Sequence, residues 1–109
     1  MNKQTLEKCR YAALEFESIK TEMEHVGSLF PDFRAEEKRK AVLRYYRRQK
    51  ELIEAIRKAD HEIDGVKHTG ARTALRHYYI NAVRTWDEVA RLCYCDTRTV
   101  HRWVHNCGL

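Results

Sequence analysis

Two arginines one helical turn apart, Arg98 and Arg102, are the residues of this chain best suited to specific recognition chemistry. A guanidinium carries a fixed fork of donors. That fork matches the O6 and N7 acceptors that guanine shows in the major groove of a duplex. On a helix, Thr97, Arg98, His101, Arg102 and His105 fall on the outward side, whereas Val100 and Trp103 fall inward. A helix that is apolar inside and polar to basic outside suits a major groove. Upstream, Val89, Cys93 and Cys95 take further inward positions, and Ala90 sits where a first helix must be small for a second to cross it closely.

The same stretch admits a metal reading. Cys93, Cys95, His101, His105 and Cys107 spell C-x-C, then H-x3-H, then Cys. However, Cys93 and Cys95 occupy positions where a helix pair keeps core aliphatics, and cysteine serves there as a small hydrophobe. The two histidines point the other way. The sequence therefore predicts no metal and no cofactor. Asp60, His61, Glu62 and Asp64 form a small acidic cluster, but on a helix they point in different directions and read as solvated surface. His77, beside Tyr78 and Tyr79, reads as packing or surface. With no phosphate-binding glycine loop and no H-E-x-x-H, an enzyme is not expected.

Positioning Arg98 and Arg102 requires three short helices. Thr85 and Glu88 make a capping box at the start of the first crossing helix. Thr85 also offers a hydroxyl and a helix N-terminus where a DNA phosphate could sit. Asp96 is the expected N-cap of the last helix, accepting the amide of Arg98 or Thr99. A supporting helix is predicted from Thr69 to Ala82, with Ala71, Ala74, Leu75, Tyr78 and Tyr79 inward and Trp86 resting on it. Asn81 to Arg84 would be its connector, and Gly65 to Gly70 a hinge before it.

The preceding half reads as two long helices. From Thr5 to Ser28, Leu6, Cys9, Ala13, Phe16, Ile19, Met23 and Val26 recur in steps of three and four. Gly27-Ser28 and Phe30-Pro31-Asp32 break the pattern. A second helix is predicted from Arg34 to Ile63, with Val42, Tyr45 or Tyr46, Leu52, Ile53, Ile56, Ala59 and Ile63 inward, Gln49 interrupting the seam and Lys50 facing Glu54. Such narrow stripes suit an antiparallel hairpin or an intermolecular coiled coil, and the second would make the protein a homodimer. Lys38, Arg39, Lys40, Arg44, Arg47 and Arg48 wrap more than one face. They are either solvated surface or a phosphate-contacting flank, with Tyr45 and Tyr46 packed inside or at the groove edge.

The expectation is an all-α chain of two parts: residues 1–66 as a long oligomerising hairpin and 67–109 as a three-helix unit containing a helix-turn-helix. Composition agrees. The chain has 109 residues, 43% of them hydrophobic and 34% charged, with only four Gly and one Pro to interrupt helices. A formal charge of +5 permits a polyanionic partner. No run approaches the roughly 20 apolar residues of a membrane span, and no basic-then-apolar leader opens the chain. A cytosolic protein with reduced thiols is expected.

The segment ARTALRHYYINAVRTWDEVARLCYCDTRTVHRWVHNCGL resembles the C-terminal region of phage and prophage late-gene transcriptional regulators of the ArpU and RinA type, and is similar to region four of bacterial sigma factors. The matching features are Leu75, Arg76 and Tyr79, then Thr85 to Ala90, then Arg98 to Arg102. The resemblance covers roughly the last 40 residues. It implies double-stranded DNA binding close to promoters, in the cytoplasm and at the nucleoid of a bacterial host. Thr97, Arg98, His101 and Arg102 would lie at base edges, and Arg84, Thr85, Arg91 and His105 at phosphates. In one place the chain departs from the pattern. Tyr94 stands at the turn position where Gly is usual, because positive φ costs other residues roughly 1 kcal/mol. Two alternatives stay open: a DNA-packaging protein like a terminase small subunit, and an adaptor that grips RNA polymerase without reading DNA.

Overall fold

The computed structural model describes residues 1–29 and 35–109, with side-chain surroundings for 1–24 and 36–109. Every regular element among them is helical, so the chain is all-α. None of these helices is long and apolar enough to cross a membrane.

Helix α1 spans Lys3–Leu29 and α2 spans Ala35–Asp64. They lie antiparallel, as three links of falling partner number show. The Asn2 amide donates to Glu62 at 3.3 Å, Glu15 pairs with Arg48 at 3.2 Å, and Glu22 pairs with Arg44 at 3.6 Å. The two stripes thus meet within one chain. Leu6 and Cys9 of α1 and Ala59 and Ile63 of α2 are buried, and Phe16 meets Tyr45 with ring centroids 5.1 Å apart. Burial of a Leu or Ile side chain contributes about 1.5–3 kcal/mol, whereas the exposed ion pairs along the flank add about 0–1 kcal/mol each.

The long helices depart from the sequence reading in several places. Helix α1 ends at Leu29, one residue past the predicted Ser28. The predicted break at Phe30-Pro31-Asp32, the predicted start at Arg34 and the inward position of Val26 lie outside the described residues and side chains. Val42 and Ile53 are exposed, not inward, and of the two tyrosines it is Tyr45 that turns in while Tyr46 stays out. A single partner helix covers only one stripe of α2, and the apolar residues of α2 are spread wider than that stripe. Glu54 meets Arg57, at 3.8 Å, where Lys50 was the expected partner.

The hinge is shorter than predicted, residues 65–68. Thr69 and Gly70 already belong to α3, Thr69–Leu75. His68 is its N-cap, with Nδ1 accepting the Ala71 amide at 3.0 Å. Gly70 is needed for contact rather than flexibility. A Cβ there would come within 2.8 Å of the Trp103 ring and 2.9 Å of His68. The supporting helix ends in a π turn, Arg76–Ile80, and does not reach Ala82, whose φ is +53°. Helices α4, Trp86–Leu92, and α5, Thr97–Asn106, follow. Helix α5 packs on α3 and α4.

One cluster holds both ends of the chain. Leu6, Cys9, Ala59, Ile63 and Val66 share it with Ala71, Ala74, Leu75, Tyr79, Val89, Ala90, Val100 and Val104.

Candidate nucleic-acid interface

Helix α5 owes its placement to its two ends and its inner side. At its start the Asp96 carboxylate accepts the Thr99 amide at 2.7 Å, the predicted cap. Hydrogen bonds from the Thr99 hydroxyl and amide hold that carboxyl below its ordinary value, with smaller attraction from Arg98 and Arg102. At its end Gly108, φ +84°, closes the last turn. Its amide donates to His105 O at 3.0 Å, and the Leu109 amide donates to Val104 O at 3.4 Å. Both bonds satisfy carbonyls the helix cannot bond itself. Val100 and Val104 are buried, and Trp103 is half-buried against α3. Val104 was missed as an inward position, although it follows Val100 by one turn.

The opposite side of α5 carries the candidate residues. Arg98, His101, Arg102 and His105 are all exposed, and they are linked by steps of three (98 to 101, 102 to 105) and four (98 to 102, 101 to 105), so they form one continuous strip. The imidazole of His101 also leans on α4, 5.9 Å from the Trp86 ring. Thr97 differs from its neighbours. It is half-buried, and its hydroxyl donates to Asp87 Oδ1 at 2.7 Å, tying α5 to the first turn of α4.

The crossing of α4 and α5 runs through the turn at Tyr94. Ala90, buried, is the close-contact position that the sequence predicts. The Cys95 amide donates to Ala90 O at 3.1 Å, and the Tyr94 amide to Arg91 O at 3.2 Å. This is the two-bond helix stop usually built on glycine. Tyr94 adopts the left-handed conformation itself, φ +57°, and the residue is 97% exposed. The turn keeps its geometry, and the strain is local to Tyr94.

Arg84, Thr85 and Arg91, read as phosphate contacts, are exposed near this crossing. Thr85 caps α4, accepting the Glu88 amide at 3.2 Å. Asp87 and Glu88 occupy the first turn of α4, so carboxylates already meet the positive helix end. Trp86 rests on the supporting helix as predicted, stacked on Tyr78 with centroids 3.8 Å apart.

Two arginines position the unit through contacts that the sequence reading did not foresee, Arg76 having been noted there only as part of the resemblance. Arg10, on α1, donates from Nη1 to the carbonyls of Tyr78 and Val83, both at 2.8 Å, and from Nη2 to Arg84 O at 3.3 Å. Its guanidinium also lies 4.0 Å from the centroid of the Tyr78 ring. It thereby satisfies carbonyls left open by the π turn and the connector. Arg76 reaches back to α2, donating from Nε to Asp60 at 3.2 Å and pairing with Asp64 through Nη2. Two members of the acidic cluster therefore anchor the supporting helix. Nothing in the spacing of Arg10 distinguishes it from any flank residue. Its partners lie 68 to 74 positions away.

The cysteines are free thiols set partly or wholly into the core. Burial pushes the Cys9, Cys93 and Cys107 thiols up, and at Cys93 the neighbouring Cys95 adds to this. Such thiols stay protonated near neutral pH. Among the described residues no three His, Cys, Asp or Glu side chains gather as a metal site. Compared with protein-family models, with curated proteins and with solved structures, the chain finds no match.

Proposed function

We propose that this protein is a sequence-specific double-stranded DNA-binding transcriptional regulator that places α5 in the major groove. The observation that carries the reading is the two-sidedness of α5. Val100 and Val104 are buried on one side, while Arg98, His101, Arg102 and His105 are exposed on the other. A ten-residue helix supported from behind can enter a groove without exposing its core. Arg98 and Arg102 read bases, and His101 assists at their edge. Thr97, whose hydroxyl is held by Asp87, orients the helix and offers its methyl group to the bases. Arg84, Arg91 and His105 bind phosphates on either side. Thr85 serves first as a cap, with its hydroxyl proton still able to meet a phosphate.

The test is selection of bound sequences from random duplex DNA, followed by footprinting. The expected result is an enriched motif with guanine at the positions that Arg98 and Arg102 read. Affinity should fall steeply with salt as counterions are released. Failure to enrich any motif over several rounds, at low salt and with folded protein, would refute the reading.

A further inference from the structure

Helix α2 carries a second stripe that α1 does not cover. Positions 39, 43, 46, 50, 53 and 57 follow in steps of four and three, so Arg39, Leu43, Tyr46, Lys50, Ile53 and Arg57 lie along one side. All six are exposed, with Leu43 at 61%, Tyr46 at 60% and Ile53 at 54%. Val42, one turn before Tyr46, widens the stripe at 40%. Single exposed apolar residues need no explanation, but large ones in register along one helix are the pattern by which helices dock.

The charges decide the occupant. Arg39, Lys50 and Arg57 alternate with the apolar residues, and Arg47 follows Leu43 by one turn. Of the acids beside the stripe, Glu54 touches Arg57 and Glu36 touches Lys40, both at 3.8 Å and in solvent. A second copy laid antiparallel with Leu43 on Ile53 would set Arg39 against Arg57, and one laid parallel in register would set Lys50 against Lys50, both of which are unfavourable. Duplex phosphates would suit the cations but would leave Leu43 and Ile53 in water. We propose that this side of α2 docks an acidic amphipathic helix of a partner protein. That helix would place its apolar residues on Leu43, Tyr46 and Ile53 and its carboxylates on Arg39, Lys50 and Arg57. The site is independent of α5 and of the DNA reading.

Two designed three-heptad helical peptides serve as probes, both with leucine on the docking stripe, one flanked by glutamate and one by lysine. Fluorescence anisotropy with the full chain should show saturable binding of the glutamate peptide only. Tyr46→Ser with Ile53→Ser should weaken it at least about tenfold. Arg39→Glu with Lys50→Glu should exchange the preference, so that the lysine peptide binds instead. These positions are exposed, so circular dichroism should show each variant as helical as the parent. Absence of saturable glutamate-peptide binding would overturn the proposal. So would sedimentation as a dimer that Ile53→Ser dissociates, which would make the occupant a second copy. Loss of duplex-DNA affinity in the serine variant would likewise overturn it, by making the stripe a nucleic-acid surface.

Discussion

Arg98 and Arg102 have different neighbours from Thr97 although all three share α5, and the difference predicts their substitution effects. The two arginines are exposed, whereas the Thr97 hydroxyl is bound to Asp87. Arg98→Ala or Arg102→Ala should each weaken binding to a selected site by about 1–3 kcal/mol and relax specificity at one base position. Equal loss on every sequence would reassign that arginine to phosphate. Asp96 predicts a pH dependence. Its carboxyl titrates lower in the folded chain than its ordinary 3.8. Its contribution to stability is therefore complete above that value and is lost as pH falls through the folded value. Asp96→Asn keeps a capping oxygen without the titration. The parent should lose thermal stability relative to Asp96→Asn in the acid range, with the difference between them constant near neutrality. Tyr94 makes the opposite kind of case, a residue whose replacement helps. It holds φ +57° with almost its whole side chain in water, so Tyr94→Gly should raise stability by about 1 kcal/mol in urea unfolding. A loss of stability would mean that the ring makes contacts in the folded state.

Short helices of seven residues, such as α3 and α4, have too few internal hydrogen bonds to persist alone, so their contacts with neighbours define them. Helix α3 is held at its start by His68 and by the approach of Trp103 over Gly70, and at its end by Arg76 on Asp60 and Asp64. Alanine is normally the better helix former at such a position by about 1 kcal/mol. Gly70→Ala should nevertheless destabilise the protein, by about 1–3 kcal/mol, because its methyl group would overlap the Trp103 ring. In a double-mutant cycle with Trp103→Leu, most of that cost should vanish. If Gly70→Ala stabilises the parent, α3 and α5 are farther apart than their contact requires. The boundaries of these elements were partly legible in the chain. Caps at Thr85 and Asp96 follow from hydroxyl and carboxylate chemistry at the right offset from an apolar run. A π turn has no such sequence signature, so the end of the supporting helix came out displaced, whereas its start at Thr69 was legible.

The whole molecule shares one cluster between its first and last helices, and that has a consequence for fragments. Residues 67–109 alone would lack Leu6, Cys9, Ala59, Ile63 and Val66, as well as the three hydrogen bonds from Arg10. A peptide of those residues should therefore be largely unfolded by circular dichroism and by amide exchange, and should lose DNA affinity with its helicity. A cooperatively folded fragment would show instead that the long hairpin is dispensable to the three-helix unit. The molecule is 53 Å in its longest dimension, and the shared cluster lies toward the end of the hairpin that holds Leu6 and Ile63.

Periodicity and capping chemistry are local, acting over three or four residues, and they were enough to determine the all-α class, the two long helices, the inward set of Val89, Ala90 and Val100, and the outward strip of α5. Contacts between residues distant in the chain were decided only by the tertiary structure. Arg10 serves carbonyls near residue 80, Gly70 must be bare because Trp103 arrives over it, and Val42 and Ile53 stay exposed because one partner helix covers one stripe. The reason is physical: an apolar or charged residue records what it can bind, but which partner reaches it depends on how the rest of the chain closes around it.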